Sequence, residues 1–314
     1  MQIIKRVLFV LLLLSILPVA NAEVESNKTL STDDISPSDV YVRARVIEQQ
    51  LLTFDPEGTL FTKTQTPPAY SVENAQPREV FFLAKSLNFS AKRLSLNHTN
   101  KEFGRSFAVH VYRNQPLHVY RVLNEALKSI QATQNTLSIV EFKENIPKVQ
   151  SSPTQVYNKI LRNNRLLSIL NQDKIQPQDV IKVVDHCYAL SQLLFTKPSA
   201  TRAIEVAITE DVPLYKTPTD VFTHLVKTLK VLKMYTELNF GLQSMEVTAS
   251  KIEREIEPSD VLDLAMTLNA QLTYLAYQQK IKVPITNIDR QGVNPSLVFH
   301  IVSKIQRTLE QEQP

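Results

Sequence analysis

Six histidines, one cysteine and thirty-one carboxylates are the groups of this 314-residue chain that could bind a metal, attack a carbonyl or move a proton. The histidines are His98, His110, His118, His186, His224 and His300. No two stand in H-x-x-x-H spacing, H-E-x-x-H is missing, and no aspartate-rich calcium loop occurs. His98, His110 and His118 share one half and folding could gather them, but scattered polar histidines are the simpler reading. No metal and no cofactor are expected. The run Asp185-His186-Cys187-Tyr188 has the letters of a thiol nucleophile. Successive helical residues point about 100° apart, so His186 cannot activate Cys187 directly. Cys187 reads instead as a small buried core residue. Two carboxylates about 5 to 9 Å apart in a cleft would suit glycoside cleavage. The candidates Glu253, Glu255 and Glu257 fall in a charged run from Lys251 that reads as solvated surface.

G-x-S-x-G, P-loop and G-x-G-x-x-G patterns are all missing. Four glycines leave few means of building phosphate-cradling loops or strained turns, which rely on positive φ. Tryptophan, a common binding hot spot, is missing too. The chain is therefore expected not to be an enzyme. Two kinds of binding feature remain. Asn163 and Thr228 interrupt apolar stripes, where a polar group costs stability unless paired; they fix register or line a small ligand pocket. Lys85, Lys92 and Arg93 on one helix, and Lys227, Lys230 and Lys233 on another, form basic faces for an acidic partner or a phosphate-bearing polymer, or simply suit solubility and the helix dipole.

These residues must be positioned by helices. Proline recurs with valine three residues later at eight places: Pro37, Pro77, Pro116, Pro153, Pro177, Pro218, Pro258 and Pro295. In Ile35-Ser36-Pro37-Ser38-Asp39-Val40, Ser36 is the N-cap, Pro37 has its φ preset at N1, and Asp39 at N3 completes a capping box. Ile35 and Val40 supply a hydrophobic staple. From each proline, positions +3, +7, +10, +14 and +17 form one helical seam, and thirty-five of those forty positions are apolar. The prolines step by 40, 39 and 37 residues, then by 24, then by 41, 40 and 37. That pattern predicts an all-α protein made by internal duplication of a four-helix unit, with residues 37–171 and 177–312 as two abutting bundles. An α-solenoid of about eight repeats is the alternative. Connections of about 20 residues are long for a compact domain and invite a functional reading. Short helices at 200–209 and 243–254 and a short strand at 107–112 are candidates within them.

The N-terminus reads as a signal peptide over residues 1–22: basic Lys5 and Arg6, an apolar run from Val7 to Leu17, Pro18, then Ala20-Asn21-Ala22 as the cleavage site. The run is too short to span a bilayer. Residues 23–36 form a tail. Cys187 stands far from any lipidation site, so a lipoprotein is not expected, nor is a transmembrane segment after cleavage. Removing Lys5 and Arg6 lowers the formal charge from +4 by two, leaving no argument for nucleic acid as partner. A periplasmic or secreted protein is expected. One cysteine favours the periplasm over a eukaryotic secretory route, in which Asn27, Asn88 and Asn97 would be glycosylation acceptors. The functional expectation is an exported, non-enzymatic helical scaffold that binds an unidentified envelope protein, possibly as accessory to a membrane receptor or export system. A small-molecule sensor or carrier with its ligand between bundle helices is the alternative.

Overall fold

Each proline-valine box opens a helix. The computed structural model describes residues 35–101, 103–105, 115–143, 145–172, 175–196, 212–283 and 290–311. Among them run α1 (Pro37–Leu52), β1 (Tyr70–Glu73), α2 (Pro77–Thr99), α3 (Pro116–Thr136), α4 (Pro153–Leu170), α5 (Pro177–Phe195), α6 (Pro218–Phe240), β2 (Glu246–Ala249), α7 (Pro258–Gln278) and α8 (Pro295–Gln311). All eight helices begin at the box proline, which has no N–H to leave unpaired. At seven starts the N3 side chain accepts the N-cap backbone N–H. The acceptors are Asp39, Glu79, His118, Gln155, Asp179, Asp220 and Asp260, at 2.7 to 3.1 Å.

The helices of each half run in one direction. Pro37, Pro77, Pro116 and Pro153 meet with Val40, Val80, Val119 and Val156 around one shallow concavity, and the corresponding residues of α5–α8 form a second. Side contacts agree. Ala44 and Asn163, seven and ten residues into α1 and α4, share a hydrogen bond, as do Gln192 and Thr308, fifteen and thirteen residues into α5 and α8. In the first group α1 and α2 each touch both α3 and α4; in the second α5 and α6 each touch both α7 and α8. Each group is a closed ring of four parallel helices.

This direction accounts for the long connections. A helix of about 18 residues is about 27 Å long, and the chain must return that distance before starting a parallel neighbour. The length is thus required by topology before any function is assigned. The exception is the step from α4 to α5, covered by residues 171–176. The second ring is antiparallel to the first, so α5 begins beside the end of α4. Arg165 late in α4 pairs with Glu257 at the start of α7, and Arg93 late in α2 pairs with Asp179 in the first turn of α5.

α2 and α4 pack on α7 to join the rings, and β1 pairs antiparallel with β2 across the same joint, Tyr70 opposite Ala249 and Glu73 opposite Glu246. The stripe positions form the core, including Leu87, Leu123, Ile160, Leu268 and Ile305, all without solvent exposure. The pairing of β1 and β2 corrects one expectation. Residues 243–254 form no helix; Glu246–Ala249 is a strand held by β1. The charged run before α7 is surface at Lys251, Glu253 and Glu255, which are exposed as expected, while Arg254 turns inward, 3% exposed in an ion pair with Asp260, and Glu257 pairs with Arg165. The proposed elements at 200–209 and 107–112 lie outside the described residues, as does the signal sequence. No helix among the described residues is long and apolar enough to cross a membrane.

Candidate ligand groove between the bundles

α2 and α7 are apolar beyond their stripes, and that surplus builds the joint. Phe81, Phe82 and Leu83 on α2, and Leu262, Leu264 and Ala270 on α7, are all buried. A helix apolar on more than one face must be covered on more than one face. The polar groups caught in this joint form a connected set. Asp263 of α7 accepts from the Ser86 hydroxyl of α2 at 2.5 Å and from the Asn164 amide of α4 at 2.7 Å. Tyr157 of α4 joins Tyr70 of β1 at 3.0 Å to Thr267 of α7 at 2.5 Å through its hydroxyl. Burial raises the Asp263 carboxyl to about 7, and it pushes the Tyr70 and Tyr157 phenols and Glu79 upward as well. Ser86, which also lines the groove described next, and Asp263 stand at nucleophile–base distance; they are 3% and 6% exposed, and their hydrogen bond ties α2 to α7.

Beside this set opens a groove of about 520 Å³. α7 forms its floor with Leu262 and Met266. α2 supplies one wall with Lys85, Phe89, Lys92, Arg93 and Leu96, and α5 the other with Asp179, Lys182 and Val183. Along α2 these recur at helical spacing, so one face of one helix presents them all. Arg93 spends its charge on Asp179 at 2.5 Å. Among the described residues no carboxylate lies within ion-pair distance of Lys85 or Lys182. Lys85 is half-buried against the Phe82 ring, 5.8 Å from its centroid, and burial lowers its ammonium pKa. The same burial, with the neighbouring Lys85 charge, depresses His186. The groove thus offers positive charge above apolar surface.

Three residues of the first expected basic face, Lys85, Lys92 and Arg93, line this groove. The second face goes elsewhere. Lys227 and Lys230 are exposed on α6, and Lys233 pairs with Glu246 of β2 at 2.8 Å. Asn163 and Thr228 are fully buried and do not line the groove. Asn163 donates to the Ala44 carbonyl of α1 at 2.8 Å, leaving its own oxygen without a partner, and Thr228 donates to the His224 carbonyl at 2.9 Å. Cys187 is buried, its thiol directed at the Ala265 carbonyl and its pKa pushed far above the ordinary range by burial. His118 serves as the N3 cap of α3. Among the described residues no three His, Cys, Asp or Glu side chains gather as a metal site.

Lys182 and Asp263 are the site residues that sequence reasoning overlooked. The available signal was the apolar surplus on α2 and α7, which marks the two helices that must meet. The chain matches no protein-family model, and no curated protein or solved structure matches it.

Proposed function

We propose that this chain is an exported, non-enzymatic helical scaffold of the cell envelope that binds an acidic protein partner in the groove between its two bundles. The observation that carries the reading is Lys85 with Lys182: two cations on facing walls, neither neutralised within the described chain, above an apolar floor. Opposite charge across an interface steers association and selects partners. Aromatic and apolar anchors such as Phe89 and Leu96, 39% and 49% exposed, supply area that a charged rim alone lacks. We further read the two rings as copies of one four-helix unit. The proline steps, which agree to within one residue, support that, as do the two matching proline-valine concavities.

A photo-crosslinking residue at position 89 tests the binding site. It should trap an envelope protein that the same probe at Val140, an exposed position, does not trap. The Lys182→Glu exchange should reduce that adduct severalfold. Equal adducts from both positions, or indifference to Lys182→Glu, would remove the groove as the docking site. Export is tested separately by the mature N-terminus, expected at Glu23.

A further inference from the structure

Each bundle closes because two helices that do not touch one another are bridged on both sides by the other two. Across the joint the same arrangement is three-quarters complete. α7 packs on both α2 and α5, while α2 and α5 do not pack on one another and are linked across the gap by the Arg93–Asp179 ion pair. The groove is the fourth position of that ring. We propose that a short, acidic, amphipathic helix of the partner protein fills it and completes an interbundle four-helix ring. This rests on the reading of the groove as a protein-docking site and adds what the partner must present.

The groove's own chemistry specifies the guest. From Lys85 to Leu96 the wall rises eleven residues of helix, about 16 Å, which accommodates about three turns. Its floor and lower walls, Leu262, Met266 and Val183, call for one apolar stripe at i, i+4 and i+7. Lys85 on one wall and Lys182 on the other call for carboxylates on both flanks of that stripe. A whole helix of about 10 Å diameter would exceed 520 Å³, so the guest inserts one face and leaves the other in solvent. A single-headed anionic amphiphile fits less well, because the cations are spread along the groove on both walls instead of gathered around one head.

The probe is a labelled 15-residue helical peptide with leucines at 4-3-4 spacing flanked by glutamates, read by fluorescence anisotropy against the full chain. Its Glu→Gln counterpart, sodium laurate and inorganic phosphate serve as comparisons. The glutamate peptide should bind at least tenfold more tightly than the glutamine peptide. Lys182→Glu, at an exposed position that leaves the fold intact, should weaken it at least tenfold, as should Lys85→Gln. Equal binding of both peptides overturns the proposal, as does indifference to both variants. Binding of laurate or phosphate in a Lys85-dependent manner without peptide binding also overturns it, in favour of a small anionic ligand. If the position-89 crosslinker traps a protein while no helical peptide binds, the acidic helix is refuted and the docking site stands. If neither result appears, both fall.

Discussion

Replacing Asp263 with asparagine isolates the proton held in the joint. In the folded protein this carboxyl is raised from 3.8 to about 7, first by burial, against the lowering effect of the bonds it accepts from Ser86 and Asn164. The sign follows from proton counting. Between about pH 4 and pH 7 the folded chain holds a proton that the unfolded chain has released, so stability falls as pH rises through that window and levels off above it. At about 1.4 kcal/mol per unit, the three-unit displacement is worth about 4 kcal/mol in all, of which about 3 kcal/mol lies between pH 5 and pH 8. Asp263→Asn keeps an oxygen to accept from Ser86 and Asn164 and cannot ionise. Urea unfolding of both proteins at pH 5, 6, 7 and 8 should give curves that diverge, with the variant gaining about 3 kcal/mol on wild type across the range. Parallel profiles, within about 0.5 kcal/mol at every pH, would show that Asp263 does not hold its proton in the folded state.

Further substitutions probe the helix starts, the joint and one turn. Thr217→Ala removes the hydroxyl that accepts from the Asp220 backbone N–H and should cost about 1 kcal/mol by urea unfolding. Tyr157→Phe breaks the hydroxyl bridge from Tyr70 to Thr267 and should cost about 1 to 3 kcal/mol, because two buried groups lose a partner. Arg165→Ala leaves Glu257 facing the joint without its guanidinium and should cost about 3 to 5 kcal/mol. Gly104→Ala puts a methyl 2.9 Å from the Glu125 carbonyl at a φ of +80°, and should lower stability by about 1 to 3 kcal/mol.

The eight helices were legible because each announces itself twice, by a proline that can stand only at the start and by a seam of period 3.5. Even the polar exceptions within the described helices follow the rule, since Thr133, Asn163, Ser191 and Thr228 are all fully buried where the seam puts them. Helix direction was not legible, because a capping box says where a helix starts and nothing of which way its neighbour runs. The information lay in the connection lengths: about 20 residues for a return journey and six for none. The strands escaped for another reason. Four residues with Tyr70 and Val72 inward make too short an alternation to stand out, and each strand depends on a partner some 176 positions away. Lys85, Lys92 and Arg93, on the α2 wall of the groove, were legible as one basic helix face. Lys182 was not, because a lone exposed lysine carries no sign of the wall it will face.

The same topology separates cations that the fold explains from those it does not. Four parallel helices add their dipoles, about half a charge each, into a strongly positive end and a strongly negative one. Carboxylates at N3 answer the positive ends: Asp39 and Glu79 in one ring, Asp179, Asp220 and Asp260 in the other. Antiparallel docking then sets the negative end of one ring beside the positive end of the next, where Arg93 meets Asp179 and Arg165 meets Glu257. Arg93, six residues before the end of α2, is accounted for by its partner Asp179. Lys85 has neither dipole nor partner, being mid-helix, half-buried and, among the described residues, without a carboxylate in ion-pair distance. Lys182 stands in the second turn of α5, past the first turn where the dipole acts, and has no carboxylate within ion-pair distance among the described residues. Neither lysine has an acid beside it among the described residues, and the desolvation of half-buried Lys85 is a cost to the free protein. An anionic partner seated between them would remove that cost.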